Sequence, residues 1–234
     1  MLRRADIVFA VSESLRDSKR QLRQDIHLMP NGARIDLYEQ PPAPPPSPLD
    51  SVKRPIVGYA GTVHPDRVDV SLIKKVAALG AGEFSLVFVG PCLLPRADIL
   101  ALESFPNILF IPAQPMEILP SFISNFDVCA IPHLLTAFTH SLDPIKVYEY
   151  LAAGRPIVST PVKGIMGLCE YIDIAEDAEG FYSAIKNALS GEGKSDVAAR
   201  LSEAQKHSWS RRAEGIDHII RSWIENHPQQ QKSD

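Results

Sequence analysis

Between Pro55 and Leu189, short, continuously apolar runs alternate with segments whose apolar positions return every three or four residues. The runs PIVGYAG (about 55–60), FSLVFVG (84–89), NILFIP (107–111), DVCAIPH (127–132) and PIVST read as strands buried on both faces, because a strand with one wet face would alternate instead. The periodic segments between them predict helices over Val70–Leu79, near Pro95–Glu103, within PMEILPSFISNF and over Ala178–Leu189. A further helix, opening at Asp143 and Pro144, runs straight into PIVST, and YIDIAE adds one short apolar stretch. Strands and helices in this alternation predict an α/β fold, a Rossmann-like doubly wound parallel sheet covered on both faces.

The flanks follow other patterns. ADIVFAVSES predicts a strand at Ile7–Val11 feeding a helix capped by Ser12 or Ser14 and reaching about Arg23. DIHLMPNG predicts a second strand that stops in a turn at Pro30, Asn31 and Gly32. The proline-rich run QPPAPPPSP then forbids helix and ladder alike, so it reads as a semi-rigid linker and the best domain boundary in the chain. This gives three units: a strand-helix-strand over 1–38, a linker over 39–53, and a Rossmann-like domain over 54–234 that ends in helices. Ala198–Glu225 predicts one or two amphipathic helices anchored by Trp209 and Trp223, and HPQQQKSD reads as a frayed polar end.

Composition narrows the function by exclusion. A formal charge of -4 and a pI near 6.0 give no electrostatic case for nucleic acid as the main partner. Cys92, Cys129 and Cys169 suit neither a disulfide framework nor a metal knuckle, and two of them sit in or beside apolar segments as buried thiols would. No apolar run nears the roughly 20 residues that span a bilayer, and the opening stretch is too short for a signal peptide. Together these point to a cytoplasmic protein, with peripheral attachment to a membrane left open. HxxxH, GxSxG and Asp-x-Asp patterns are missing from the sequence, which leaves zinc, serine-nucleophile and carboxylate-metal chemistry without support. GEGKS at 191–195 lacks both the first glycine of a P-loop and the strand that should precede it.

Open sheets of this class bind ligands beyond the carboxyl ends of their strands. Four loops fall there, carrying His64, Arg67, His133 and His140, each of which reads singly as a solvated loop residue. The longest, IPHLLTAFTHSLDP, ends where the Asp143 helix begins. Asp143 is a good N-cap and Pro144 a favoured first helical residue, so the helix start predicts free N–H groups and positive potential suited to a phosphate. Lys146 and Glu149 are neighbours on one helix face. A solvated ion pair is the simple reading of that spacing. The other positions, Ile145, Val147, Tyr148, Leu151, Ala152 and Ala153, are apolar almost all round, which favours a buried helix whose charges meet a polar pocket. Gly61 would let backbone approach a ligand there.

DPIKVYEYLAAGRPIVST, Asp143–Thr160, resembles the nucleotide-binding signature of retaining glycosyltransferases with the GT-B fold, and more narrowly the glycosyl transferases group 1 sequences. RADIVFAVSESL, LMPNGARIDLYE, GYAGTV, LVFVGP, the long segment from Asn107 to His133 and the HSW segment at His207–Trp209 extend the resemblance over nearly the whole chain. It implies a transferase, active in polysaccharide biosynthesis, whose donor is a nucleotide-diphosphate sugar such as a UDP-sugar, with no metal, no other cofactor and retention at the sugar. By the same resemblance Glu149 would accept hydrogen bonds from the ribose hydroxyls. Leu142, Asp143, Pro144 and Ile145 would hold the distal phosphate with Lys146 beside it, Gly61 and Thr62 would face the diphosphate, and Ala113 and Gln114 would line the base. Arg67 is the candidate for a further diphosphate clamp.

The chain departs from that family where a second glutamate usually stands, at Ser141, and where glycines are common, at Leu142 and Pro144. The resemblance also implies a two-domain enzyme, whereas residues 1–38 match only the end of a first domain. A missing N-terminal domain, a partner chain or self-association would then complete the site, and the catalytic residues are unknown. A non-catalytic nucleotide-sugar-binding module and a GT-B-like sugar-nucleotide epimerase remain as alternatives.

Overall fold

The computed structural model describes residues 2–40 and 43–228. Pro41 and Pro42 of the proline-rich run, and the polar end from Gln229 onward, lie outside them. In chain order the elements are β1 (Val8–Ala10), α1 (Glu13–Lys19), β2 (Ile26–Leu28), β3 (Ile56–Ala60), α2 (Val70–Leu79), β4 (Ser85–Val89), α3 (Arg96–Glu103), β5 (Ile108–Ile111), α4 (Leu119–Ile123), β6 (Val128–Ile131), α5 (Ala137–Ser141), α6 (Ile145–Ala152), β7 (Ile157–Ser159), β8 (Asp173–Ile174), α7 (Ala178–Leu189), α8 (Val197–Gln205) and α9 (Trp209–Asn226).

Strands β3 to β8 form one parallel sheet in the order β5-β4-β3-β6-β7-β8. The chain starts in the middle, builds outward to β5, then returns to the other side of β3. The loops after β3 and β6 therefore leave in opposite directions, and the crevice that opens between them is where such sheets take ligands. All five residues of β3 are buried, as its unbroken apolar run predicts. One face of the sheet packs α2, α3 and α7 over Val57, Tyr59, Leu86 and Phe88, and the other packs α4, α6 and α8 around Ile56, Ala60, Val87 and Cys129.

Gly58 lies on that second face with the Phe126 ring in the space a side chain would need. A Cβ there would stand 2.1 Å from the ring. Gly58→Ala should lower stability by about 1–3 kcal/mol through overpacking, which a shift in the urea midpoint would register.

Several expectations need correction. Helix α1 is capped by Ser12, whose Oγ accepts the Leu15 N–H at 3.2 Å, but it ends at Lys19 rather than near Arg23. PMEILPSFISNF yields only the short α4. The long loop before Asp143 contains α5, started by a reciprocal Thr136–Thr139 capping box. The proline-rich run is less detached than a linker reading suggests: it ends in a 3-10 turn whose Leu49 is 1% exposed in the core. Trp209 is exposed, and it is its backbone that holds α9, through a hydrogen bond from its N–H to the Ala33 carbonyl. Trp223 is half-buried beside Arg23 and Asp25. Of the cysteines, Cys129 is buried, Cys92 half-buried and Cys169 exposed.

Strands β1 and β2 pair in parallel as a separate two-stranded sheet. Ser12 Oγ ties this unit to α5 by donating to the Ser141 carbonyl at 2.6 Å. Met29 reaches Gly215 of α9. No helix among the described residues is long and apolar enough to cross a membrane.

Candidate ligand cavity at the start of helix α6

Helix α6 is held in place from both ends. At its carboxyl end Gly154 takes φ +66°, a left-handed conformation that closes the helix, and the buried Arg200 of α8 donates to the Gly154 carbonyl at 3.0 Å. Val147, Tyr148, Tyr150, Leu151 and Ala152 are all buried. Tyr150 reaches the tip of β3, where its hydroxyl accepts the Ala60 N–H at 2.7 Å. The start of α6 is thereby fixed beside the loop that follows β3.

Asp143 does not cap the helix, which begins one residue later than its sequence suggests, with Pro144 as the N-cap and no side-chain cap bond. The Asp143 carboxylate serves a tertiary contact instead. It accepts the Asn31 N–H at 2.5 Å and the Tyr148 hydroxyl at 2.6 Å, while the Asn31 side-chain amide donates to the Asp143 carbonyl. Burial raises the Asp143 pKa against the pull of these donors. Asn31 is steadied in turn by Arg212, which donates to its carbonyl and contacts His207, itself stacked on Tyr148. With Asp143 engaged elsewhere, the N–H groups of Ile145 and Lys146 have no acceptor among the described residues. They keep the partial positive charge of the helix end free for an anion.

A cavity of about 300 Å³ opens in front of these groups. Gly61, Thr62, Arg67, Leu142, Asp143, Pro144, Ile145, Lys146 and Glu149 all line it, so nine of the sequence-predicted residues converge. Ala113 and Gln114 do not. They follow β5 at the same end of the sheet, Ala113 exposed and Gln114 half-buried, outside this cavity. Asn31, Ala60 and His133 complete the wall; Asn31 and Ala60 were not expected there, and His133 was expected at this end of the sheet only as a solvated loop residue. Asn31 carried no local signal beyond its turn.

Lys146 and Glu149 are both half-buried, and no salt bridge joins them among the described residues. The solvated ion pair is thus excluded. Lys146 lays its ammonium 3.7 Å from the centre of the Tyr59 ring, a cation–π contact, and burial holds its pKa down to about 7. Gly61, at φ +135°, leaves room for it: a Cβ there would lie 2.9 Å from Nζ. Glu149 has its pKa raised by burial, with Lys146 opposing. His133 is 2% exposed, and burial, then Lys146 and Arg67, push its pKa down to about 3, so the ring is neutral. It is buried, where its sequence context suggested a solvated loop residue. His64 accepts a hydrogen bond from the Asp66 N–H, and His140 borders a separate cleft of about 470 Å³ beside Ser12 and Lys163. Among the described residues no cluster of three or more His, Cys, Asp or Glu could hold a metal ion.

The sequence model of the family "Glycosyl transferases group 1" matches residues 54–191, which take in the whole cavity wall except Asn31. The chain belongs to this family. A curated relative from Bacillus subtilis (strain 168), "Putative teichuronic acid biosynthesis glycosyltransferase TuaH", is 29% identical over 168 residues, covering 68% of this chain and 41% of its own. Among solved structures, HepE of Anabaena in complex with UDP-glucose superposes with a TM-score of 0.74 at 17% identity, covering 93% of this chain and 64% of that one. Sucrose-phosphate synthase of Thermosynechococcus elongatus gives 0.70 at 18% identity, with 96% and 60% covered. At such identities the structural likeness speaks for the fold, which is that of part of a GT-B glycosyltransferase. This family member spans less than two thirds of each of these three relatives.

Proposed function

We propose that the chain is the donor-binding half of a glycosyltransferase and that a nucleoside-diphosphate sugar occupies the cavity at the start of α6. The observation that carries this reading is the unpaired, half-buried Lys146 and Glu149 facing one cavity beside free helix N–H groups. Two desolvated charges that do not satisfy each other are costly in a ligand-free protein, and a ligand with both an anion and hydroxyl donors answers both. Glu149 would take the two ribose hydroxyls, since an ionised carboxylate offers two acceptor oxygens. The diphosphate would lie over Ile145 and Lys146, with Gly61 and Thr62 beneath it and Arg67 at its flank. At about 300 Å³ the cavity suits the ribose and diphosphate. The base would extend onto the open shelf near Ala113 and Gln114. UDP is the favoured nucleotide, because HepE holds UDP-glucose.

In the transfer, the bond from the anomeric carbon to the diphosphate oxygen breaks and an acceptor hydroxyl bonds to that carbon on the same face. The hydroxyl proton passes to the departing phosphate oxygen. Negative charge grows on the leaving diphosphate, where Lys146, Arg67 and the helix start already supply positive potential, so the step needs no metal in this reading. The acceptor side comes from outside the six-stranded domain, from a further domain or a partner chain.

Calorimetric titration with UDP, UDP-glucose, GDP and GDP-mannose tests the donor assignment. UDP and its sugar should bind; absence of binding by all four would remove it. Release of UDP from UDP-glucose on adding acceptor saccharides would support the transferase, whereas tight binding without turnover would favour a binding module.

A further inference from the structure

His133 has no place in the roles assigned so far, although it borders the cavity from the end of β6. Neither ring nitrogen has a hydrogen-bond partner among the described residues, and both are sealed from solvent. Its ring stands edge-on to Tyr59 at 6.2 Å, the same ring on which Lys146 rests. A buried imidazole with both nitrogens idle is costly, and packing alone would favour phenylalanine at this position. An unsatisfied polar group of this kind in a cavity wall calls for a partner that arrives with the ligand.

We propose that His133 is a phosphate-binding residue of the donor site, which donates a ring N–H to the diphosphate between Arg67 and Lys146. The proposal rests on the donor-site reading above. It includes a movement of the ring, since the nitrogens do not reach the cavity surface as it now lies. The diphosphate supplies the cause. By drawing the Lys146 ammonium off the Tyr59 face it loosens the packing around the histidine, and its oxygens offer the acceptor the ring lacks. The same anion offsets the two cations that disfavour charge on the imidazole, so the hydrogen bond strengthens as the ligand settles.

The test compares the wild-type chain with His133→Phe, which keeps an aromatic ring against Tyr59 and removes both nitrogens, and with His133→Gln, which restores a donor. Uridine, UMP and UDP are titrated into each. The variant lacking nitrogens should stay folded with an unchanged or higher melting temperature. It should bind UDP about ten- to a hundredfold more weakly than wild type, with uridine affinity unchanged and the glutamine variant recovering part of the loss. Equal affinity of wild type and His133→Phe for UDP would overturn the proposal while leaving the donor site standing. Equal losses for uridine and UDP would overturn it too, by showing a packing role. A wild type that binds none of the three would instead refute the donor-site reading itself.

Discussion

Glu149→Ala should weaken UDP binding by roughly 1–3 kcal/mol, about ten- to a hundredfold, and leave the fold at least as stable. Both halves of that expectation come from the same local physics. In the ligand-free protein Glu149 is half-buried, its carboxylate has no hydrogen bond or salt bridge among the described residues, and burial already raises its pKa. Deleting the carboxylate therefore relieves a desolvated charge instead of breaking a contact. With a nucleotide bound, the same carboxylate would accept two hydroxyl protons, and its loss would leave them unpaired. Titration calorimetry and urea denaturation on one preparation separate the two effects. A surface residue would show neither, and a structural one would lose stability first.

Lys146→Met gives the second large effect, and here stability and function part company. Burial lowers the lysine pKa from its ordinary 10.5 to about 7, so the folded protein holds this proton less tightly than the unfolded chain does. The penalty is in full force below about pH 7. Stability contributed by the wild-type group rises between pH 7 and 10.5, where the unfolded lysine still binds the proton and the folded one does not. Methionine carries no such term. The variant should therefore exceed wild type in urea midpoint at pH 7, by a margin that shrinks as pH climbs toward 10.5.

Ligand binding runs the other way. An incoming diphosphate would favour the ammonium form, so binding above pH 7 should take up a proton and wild-type affinity for UDP should fall with rising pH, at most about tenfold per unit. Lys146→Met should bind weakly throughout and lose that slope. The contact with Tyr59 at 3.7 Å preserves part of the positive charge in the free protein. Calorimetry in buffers of different ionisation enthalpy would count the protons directly.

The parallel sheet was legible because its strands are apolar without interruption, and the helix at 145–152 because nearly every face of it is apolar. Placement of Lys146 and Glu149 in one pocket followed from the same reasoning: charges on a buried helix must gather where the sheet opens. What local sequence could not supply was partnership at long range. Asp143 has the composition of a cap, yet Asn31, 112 positions earlier, claims its carboxylate, and so the helix starts at Ile145. The Thr136–Thr139 box that starts α5 is a local signal, but a five-residue helix gives periodicity too little length to register. Trp209 looked like an anchor because of its size, whereas its neighbour Gly32 leaves no room for a side chain against the α9 backbone, and the contact there is main chain on main chain. His133 was read as solvated from its loop position, whereas the chain folds it in beside Tyr59, bridged to Val68 and with the Thr160 hydroxyl donating to its carbonyl.

A crystal structure of the chain soaked with UDP decides where the nucleotide sits. The ribose hydroxyls should lie within about 3 Å of the Glu149 carboxylate and the terminal phosphate over the Ile145 and Lys146 amides, with the lysine turned off Tyr59. UDP seated instead in the neighbouring cleft by Ser12 and Lys163, with Glu149 untouched, would contradict this placement.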